Sequence, residues 1–280
     1  MNNTSSELLK QILINMLDEF ILICNKYNLK YTLLGGSLLG AIRHHGFIPW
    51  DDDIDIGMPR DDYDKFISIA LKALNKKYKI ATIYNENNFC YPFCKLYDNE
   101  TTLIELKDLP FIYGIYIDIF PLDGIPKDLS IRHKIISPIQ KRRNVAGFLA
   151  KAELSYFYKF KHLPAYLFYS LLYGDSHSAL IKCEELAHKY PYCNEYDIIN
   201  HYGAWGEKEI SDYSWFNPLK EYTFEGRKVW GPNNYDAYLT KMYGDYMTPP
   251  PIEKRKSHHS HYFIDLSRRY TLEEIRQMGY

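Results

Sequence analysis

Residues 33–66 read LLGGSLLGAIRHHGFIPWDDDIDIGMPRDDYDKF. Tyr31–Leu34 is a short β-like run that ends at Gly35-Gly36-Ser37. Leu38–His44 then spaces its apolar residues for a helix, and 53–57 alternates strictly between acid and isoleucine. Asp51, Asp53 and Asp55 are two residues apart, so a strand through them puts all three on one face and turns Ile54 and Ile56 into a core. Three carboxylates on one face repel one another unless cations neutralise them. Hard oxygen ligands suit Mg²⁺ or Mn²⁺. Two such ions, about 4 Å apart, clamp the attacking and leaving oxygens of a phosphoryl group. An EF-hand does not fit: its loop needs Gly at the sixth position, here Ile56, and Glu at the twelfth, here Asp62.

Gly35, Gly36 and Ser37 do not form a Walker A loop, because no Lys follows at the required spacing. A strand–Gly-Gly-Ser–helix junction can still cradle a phosphate on backbone amides at the helix start. Arg43 and His44, near the end of the same short helix, are candidates for a second phosphate.

Working outward, residues 6–26 repeat apolar side chains at helical spacing, and Asp61 or Asp62 is expected to cap a helix running to about Leu74. β-like runs follow at 78–84, 91–97, 101–105 and 115–120. The last places Asp118 among isoleucines, where an acid needs a partner; a metal shared with Asp53 and Asp55 would provide it. Pro121 and Pro126 are expected to close this region. The order predicts an α+β fold, a mixed β-sheet flanked by helices. The reading divides the chain into a core at 1–126, a helical basic and aromatic insert at 127–190, and a C-terminal Tyr/Pro-rich segment at 191–280 that packs on the core.

Residues 127–161 hold nine Lys/Arg against two acids, and 163–173 hold no charge. That pairing suits an anionic lipid-bearing surface such as a membrane leaflet. The whole chain has a formal net charge of −1, so its surface is not built for nucleic acid. Five cysteines without a C-x-x-C pair indicate free thiols rather than disulfides or a zinc ribbon. With no basic-then-apolar leader and no long apolar run, a cytoplasmic protein is expected, with peripheral contact at the inner face of the membrane. Oligomeric state is not indicated. Tyrosine is in excess, 27 of 280 residues.

The 33–66 run resembles the signature of the LicD family, phosphocholine and related phospho-alcohol transferases of the nucleotidyltransferase-fold superfamily with fukutin-type relatives. Further matches are Lys95 before YDNETTLIE, GIYIDIFPLDGIP, Phe224-Glu225-Gly226, and YGDYMTPPP from Tyr243. The resemblance implies a nucleotidyltransferase-like sheet and a CDP-linked donor, CDP-choline first. It implies transfer of the phospho-alcohol to a hydroxyl of a glycan, on lipopolysaccharide or a teichoic-acid precursor, with release of CMP. It makes Gly36 and Ser37 the phosphate turn, Asp53 and Asp55 the paired metal ligands, Asp118 the third carboxylate and Asp51 an additional acid. The catalytic set is then Asp53, Asp55 and Asp118, with two Mg²⁺ or Mn²⁺ ions. Lys95 and Arg43 would neutralise the leaving CMP. Glu225, Tyr243, Asp245 and His258 are further candidates in or beside the matching C-terminal segments. Choline itself would need aromatic faces, and Trp50, Tyr91, Phe93, Tyr97 and Tyr116 are the residues in position to offer them. Rival readings are glycerol- or ribitol-phosphate transfer, nucleotidyl transfer to a small acceptor, a D-x-D glycosyltransferase, and an inactive adaptor of a glycan assembly complex.

Overall fold

The computed structural model describes residues 3–86, 89–106, 111–257 and 261–279. The first part of the chain forms α1 (Asn3–Tyr27), β1 (Thr32–Leu33), α2 (Gly35–His44), β2 (Asp55–Pro59), α3 (Arg60–Ala73), β3 (Tyr78–Ala81), β4 (Cys94–Asp98), β5 (Thr102–Ile104) and β6 (Tyr116–Ile125). Four helices follow: α4 (Leu129–Leu154), α5 (Tyr156–Lys161), α6 (Leu163–Tyr173) and α7 (Ser176–Ala187). The remainder contains β7 (Asp197–Ile199), β8 (Ile210–Ser211), α8 (Tyr213–Phe216), β9 (Lys220–Phe224), β10 (Arg227–Gly231), α9 (Tyr235–Tyr243), β11 (Phe263–Asp265) and α10 (Leu272–Gln277).

The main sheet is mixed. Its strands run β1-β2-β6-β4-β3, with β7 and then β8 attached to the far half of β6. Among the described residues only β2 and β6 pair in parallel. Helices pack against this sheet: α1 buries Leu13, Met16, Leu17 and Phe20, and α3 buries Tyr63 and Phe66. The expected α+β class and mixed sheet are found. Ile54 and Ile56 are fully buried, as their alternation requires.

Three local expectations are corrected. Strand β2 begins only at Asp55, so Asp51 and Asp53 lie in the preceding loop and not on a strand face shared with Asp55. Helix α3 starts at Arg60 behind Pro59; Asp61 and Asp62 sit in its first turn, where acids favour the helix dipole without capping it. Strand β6 does not stop at Pro121 but runs to Ile125. The β4 ladder reaches only Ile119, and β7 pairs from Asp123, so Pro121 falls in the gap where its missing N–H breaks neither antiparallel ladder.

A buried ionic network ties the helical layer to the sheet. Arg60 makes two 2.7 Å hydrogen bonds to Asp123 on β6 and one of 2.8 Å to Glu184 on α7. Tyr202 donates its hydroxyl to the other Glu184 oxygen. A bidentate fork with every oxygen partnered is the arrangement that lets such charges stay buried. All five cysteines are free thiols. Among the described residues no helix is long and apolar enough to cross a membrane.

Candidate active site at the start of β2

Three neighbouring strands place Lys95, Asp118 and Asp55 in one row. Asp55 on β2 stands opposite Asp118 on β6, and Asp118 stands opposite Lys95 on β4. Register partners on adjacent strands point to the same face. The Lys95 ammonium lies 2.9 Å from Asp118 Oδ1, and its side chain is almost completely buried. The sequence reading set Lys95 against a leaving group; in the fold it is the counter-ion of Asp118.

Helix α2 begins directly above this row. Gly35 takes φ +50°, a left-handed conformation that glycine adopts without a Cβ penalty. Its N–H donates to the Tyr238 hydroxyl at 3.2 Å. Leu34, the preceding residue, has no side chain able to cap the helix. The Ser37 hydroxyl is buried and accepts from the Asp55 N–H at 2.9 Å, so it locks α2 to β2. A Cβ on Gly36 would stand 2.8 Å from Asp51 Oδ2, and one on Gly35 would stand 3.4 Å from Asp55 Oδ2. Both glycines thus let backbone amides approach the carboxylates closely.

The aspartate loop is braced from three sides. Lys10 on α1 donates to the Pro49 carbonyl at 3.0 Å, the Ser257 hydroxyl lies 2.7 Å from Asp52 Oδ1, and Arg255 stacks over Trp50. Among the described residues, Asp51, Asp52 and Asp53 bring carboxylate oxygens within 4.8 Å of one another. Asp55 and Asp118 are outside that close group but line the same cavity as Asp53. Hard oxygens on a glycine-floored turn fit a divalent cation such as Mg²⁺ or Mn²⁺ by donor chemistry.

Two cavities meet at this wall. One, about 520 Å³, is lined by Asp53, Asp55, Asp118, Tyr91, Arg143 and Glu209 among others. The second, about 640 Å³, is lined by Gly36, Arg43, Trp50, Asp51, Asp245 and Tyr246 among others. Asp53, Asp55, Trp205 and Tyr243 belong to both. Arg43 also donates to the Tyr246 carbonyl, which aims it from α2 toward the C-terminal segment. Burial, and then neighbouring Arg43, holds the His44 imidazole below its ordinary pKa. Burial, and then Asp55, pushes the Tyr243 hydroxyl upward.

Of the remaining candidates, Tyr91, Phe93 and Trp50 line the cavities, and others do not. Glu225 adopts φ +49° and accepts from the Phe47 N–H at 3.0 Å, clamping the turn after α2; it lines neither cavity. His258 lies outside the described residues. The five aromatics proposed for choline each face a cation of the protein itself. Lys95 lies 3.3 Å from the Tyr116 ring centroid, 4.6 Å from Tyr91 and 5.5 Å from Phe93. Arg269 covers Tyr97 and Arg255 covers Trp50. Tyr91 and Tyr116 also both donate to Glu105.

Arg143, Trp205 and Glu209 were not singled out from sequence as site residues. Trp205 stands edge-on to Tyr243 at 5.9 Å. Arg143, on α4, donates to the Gly203 carbonyl at 3.2 Å. Burial raises the Glu209 carboxyl to about 7; the Trp205 amide and then Arg143 and Lys241 act against that rise. A tryptophan between small residues, Gly203-Ala204-Trp205-Gly206, was the one available signal, and it is a weak one.

Residues 28–151 match the family described as LicD/FKTN/FKRP, nucleotidyltransferase domain. The chain is similar to the lipopolysaccharide cholinephosphotransferase LicD of Haemophilus influenzae, with 33% identity over 256 residues, 89% of this chain and 93% of that protein. An uncharacterized protein of Rickettsia typhi is 33% identical over 101 residues, 36% of this chain and 31% of its own. The human ribitol 5-phosphate transferase FKRP is 58% identical over 33 residues, 12% of this chain and 7% of its own.

Proposed function

The chain belongs to the LicD family, and on that premise we propose that it is a phosphotransferase that moves a phospho-alcohol from a CDP-linked donor to a hydroxyl of a glycan. The full-length relative acts as a cholinephosphotransferase on lipopolysaccharide and the short match is to a ribitol 5-phosphate transferase. Phosphocholine, from CDP-choline, is therefore the first assignment for the transferred group, and ribitol- or glycerol-phosphate the second.

What carries the reading is the row Lys95–Asp118–Asp55 beside the start of α2, where two cavities share Asp53 and Asp55 as lining. The donor diphosphate would rest on the Gly36 and Ser37 amides, with Arg43 beside the leaving CMP. The acceptor hydroxyl would enter from the cavity lined by Arg143 and Glu209. Its oxygen attacks the phosphorus that bears the alcohol, the bond to CMP breaks, and the hydroxyl proton passes to Asp53. Lys95 holds the Asp118 carboxylate in place. Asp51, Asp53, Asp55 and Asp118 would hold one or two Mg²⁺ or Mn²⁺ ions, which when bound neutralise the diphosphate and polarise the phosphoryl group. The division at 126 and 190 belongs to the same proposal: a catalytic core, a helical acceptor side, and a C-terminal segment that closes the site through Trp205, Tyr238 and Tyr243.

The test is a donor screen with CDP-choline, CDP-ribitol and CDP-glycerol, read by mass for CMP and for the modified acceptor. CMP release with one donor and a matching mass gain on the acceptor is expected. Pyrophosphate release from CTP would replace this reading with nucleotidyl transfer, and no product from any donor would favour an adaptor.

A further inference from the structure

Helices α5 and α6 bury none of their residues. Of the 21 large apolar side chains more than a third exposed among the described residues, eight lie in the seventeen residues 156–172. Tyr156, Phe157 and Phe160 are 84%, 76% and 71% exposed, and Leu171 is 86% exposed. Phe157 and Phe160 on α5, and Phe168, Leu171 and Leu172 on α6, recur at the three- and four-residue spacing that keeps side chains on one side of a helix. An exposed apolar patch of this density marks a contact surface rather than ordinary surface scatter.

The charges beside it select the partner. Between Glu153 and Asp175 the chain has no acidic residue, and it carries Lys159 and Lys161. The basic segment read from sequence as one surface is divided in the fold. Arg132 pairs with Asp197 and Arg143 turns into the cavity, whereas Lys159 and Lys161 lie on α5 within the patch and Arg142 on α4 stands over the Tyr173 ring at the end of α6. Two copies of the patch placed face to face would bring like charges together with no acid to pair them. A bilayer with anionic headgroups satisfies both features, with aromatic and leucine side chains entering the interface and lysines at the phosphates. The eleven residues of α6 span about 16 Å at the α-helical rise, too short to cross and suited to lying in the plane.

We propose that the α5–α6 segment docks on an anionic lipid bilayer. Its place in the fold gives the docking a use. Phe148 on α4 packs its ring 5.5 Å from that of Tyr169 on α6, and the adjacent Gly147 lines the cavity that holds Asp53, Asp55 and Asp118. Docking would therefore bring the membrane to the helical wall of the site. That consequence rests on the proposed transfer reaction; the docking itself does not.

Flotation of the full chain with phosphatidylcholine vesicles, with and without phosphatidylglycerol, tests this. Binding to the anionic vesicles is expected, weakening as salt rises. The double variant F157S/F160S should lose binding at least about tenfold, and K159E/K161E should lose the preference for phosphatidylglycerol. Phe157 and Phe160 are 76% and 71% exposed on a helix that buries none of its residues, so unchanged circular dichroism should accompany the loss in F157S/F160S. No binding to anionic vesicles at low salt, or binding that neither variant alters, would overturn the proposal. So would concentration-dependent dimerisation removed by F157S/F160S without vesicle binding, which would assign the patch to a second copy. Transfer activity is read separately, so failure of the docking leaves the reaction standing and the reverse also holds.

Discussion

Lys95 and Asp118 face each other across the β4–β6 ladder at 2.9 Å, and Lys95 covers the Tyr116 ring from the other side. Removing the lysine takes the buried counter-ion from a carboxylate that is only 18% exposed at the cavity wall. Lys95→Met is expected to cost about 3 kcal/mol in urea unfolding and to abolish transfer. Adding Asp118→Asn should restore most of that stability, because the unpaired charge is gone, and no activity. Additive destabilisation in the double variant would show that the two residues are not a coupled pair.

Asp53 and Asp55 differ in place but not in expected importance. Asp55 opens β2, whereas Asp53 belongs to the loop, and both line the two cavities. Asp53→Asn and Asp55→Asn should each reduce kcat by about a thousandfold or more while the unfolding midpoint holds or rises as repulsion is relieved. Mn²⁺ titration by calorimetry should weaken in both. Full turnover in either variant would remove that residue from the catalytic set.

Gly36 separates stability from activity. Alanine favours a helix over glycine by about 1 kcal/mol, so Gly36→Ala should leave α2 as stable or more so. Its methyl group would meet Asp51 Oδ2 at 2.8 Å and stand over the amides that hold the diphosphate. A fall in kcat/KM of about a hundredfold without loss of Tm is the expected result. If activity survives, the diphosphate does not rest on this turn.

Glu209 gives a pH signature. Burial raises its carboxyl from 4.5 to about 7, so the folded protein holds a proton that the unfolded chain releases. The stability this confers is complete below about pH 4.5 and is lost as pH rises through 7. A shift of that size corresponds to roughly 3 kcal/mol at most. Glu209→Gln should flatten this part of the stability profile between pH 5 and 8 and raise stability at pH 8. An unchanged slope would place the titration elsewhere.

Much of the fold was legible because it is local. The alternation of Ile54 and Ile56 marked a buried edge to the acid run, and Ile117 and Ile119 did the same for Asp118. The two runs proved to be neighbouring strands in register. The strand through Asp51 and Asp53 was misread because alternating residue types do not reveal where pairing begins. β1 supplies partners only at Ile56 and Gly57, and β6 only from Asp55 onward.

By itself the sequence determined the chemistry available: a glycine turn beside clustered carboxylates, an isolated acid on an apolar strand, and a basic, aromatic helical segment. Tertiary structure decided which of those groups meet. It gave Lys95 to Asp118, spent Ser37 on the Asp55 amide and Glu225 on a turn, and brought Arg143, Trp205 and Glu209 to the cavity from segments distant in the chain. Residue type and spacing fix what a side chain can do and which side of its own element it occupies. Which distant group neutralises a buried charge depends on long-range packing, and here that packing also left α5 and α6 uncovered.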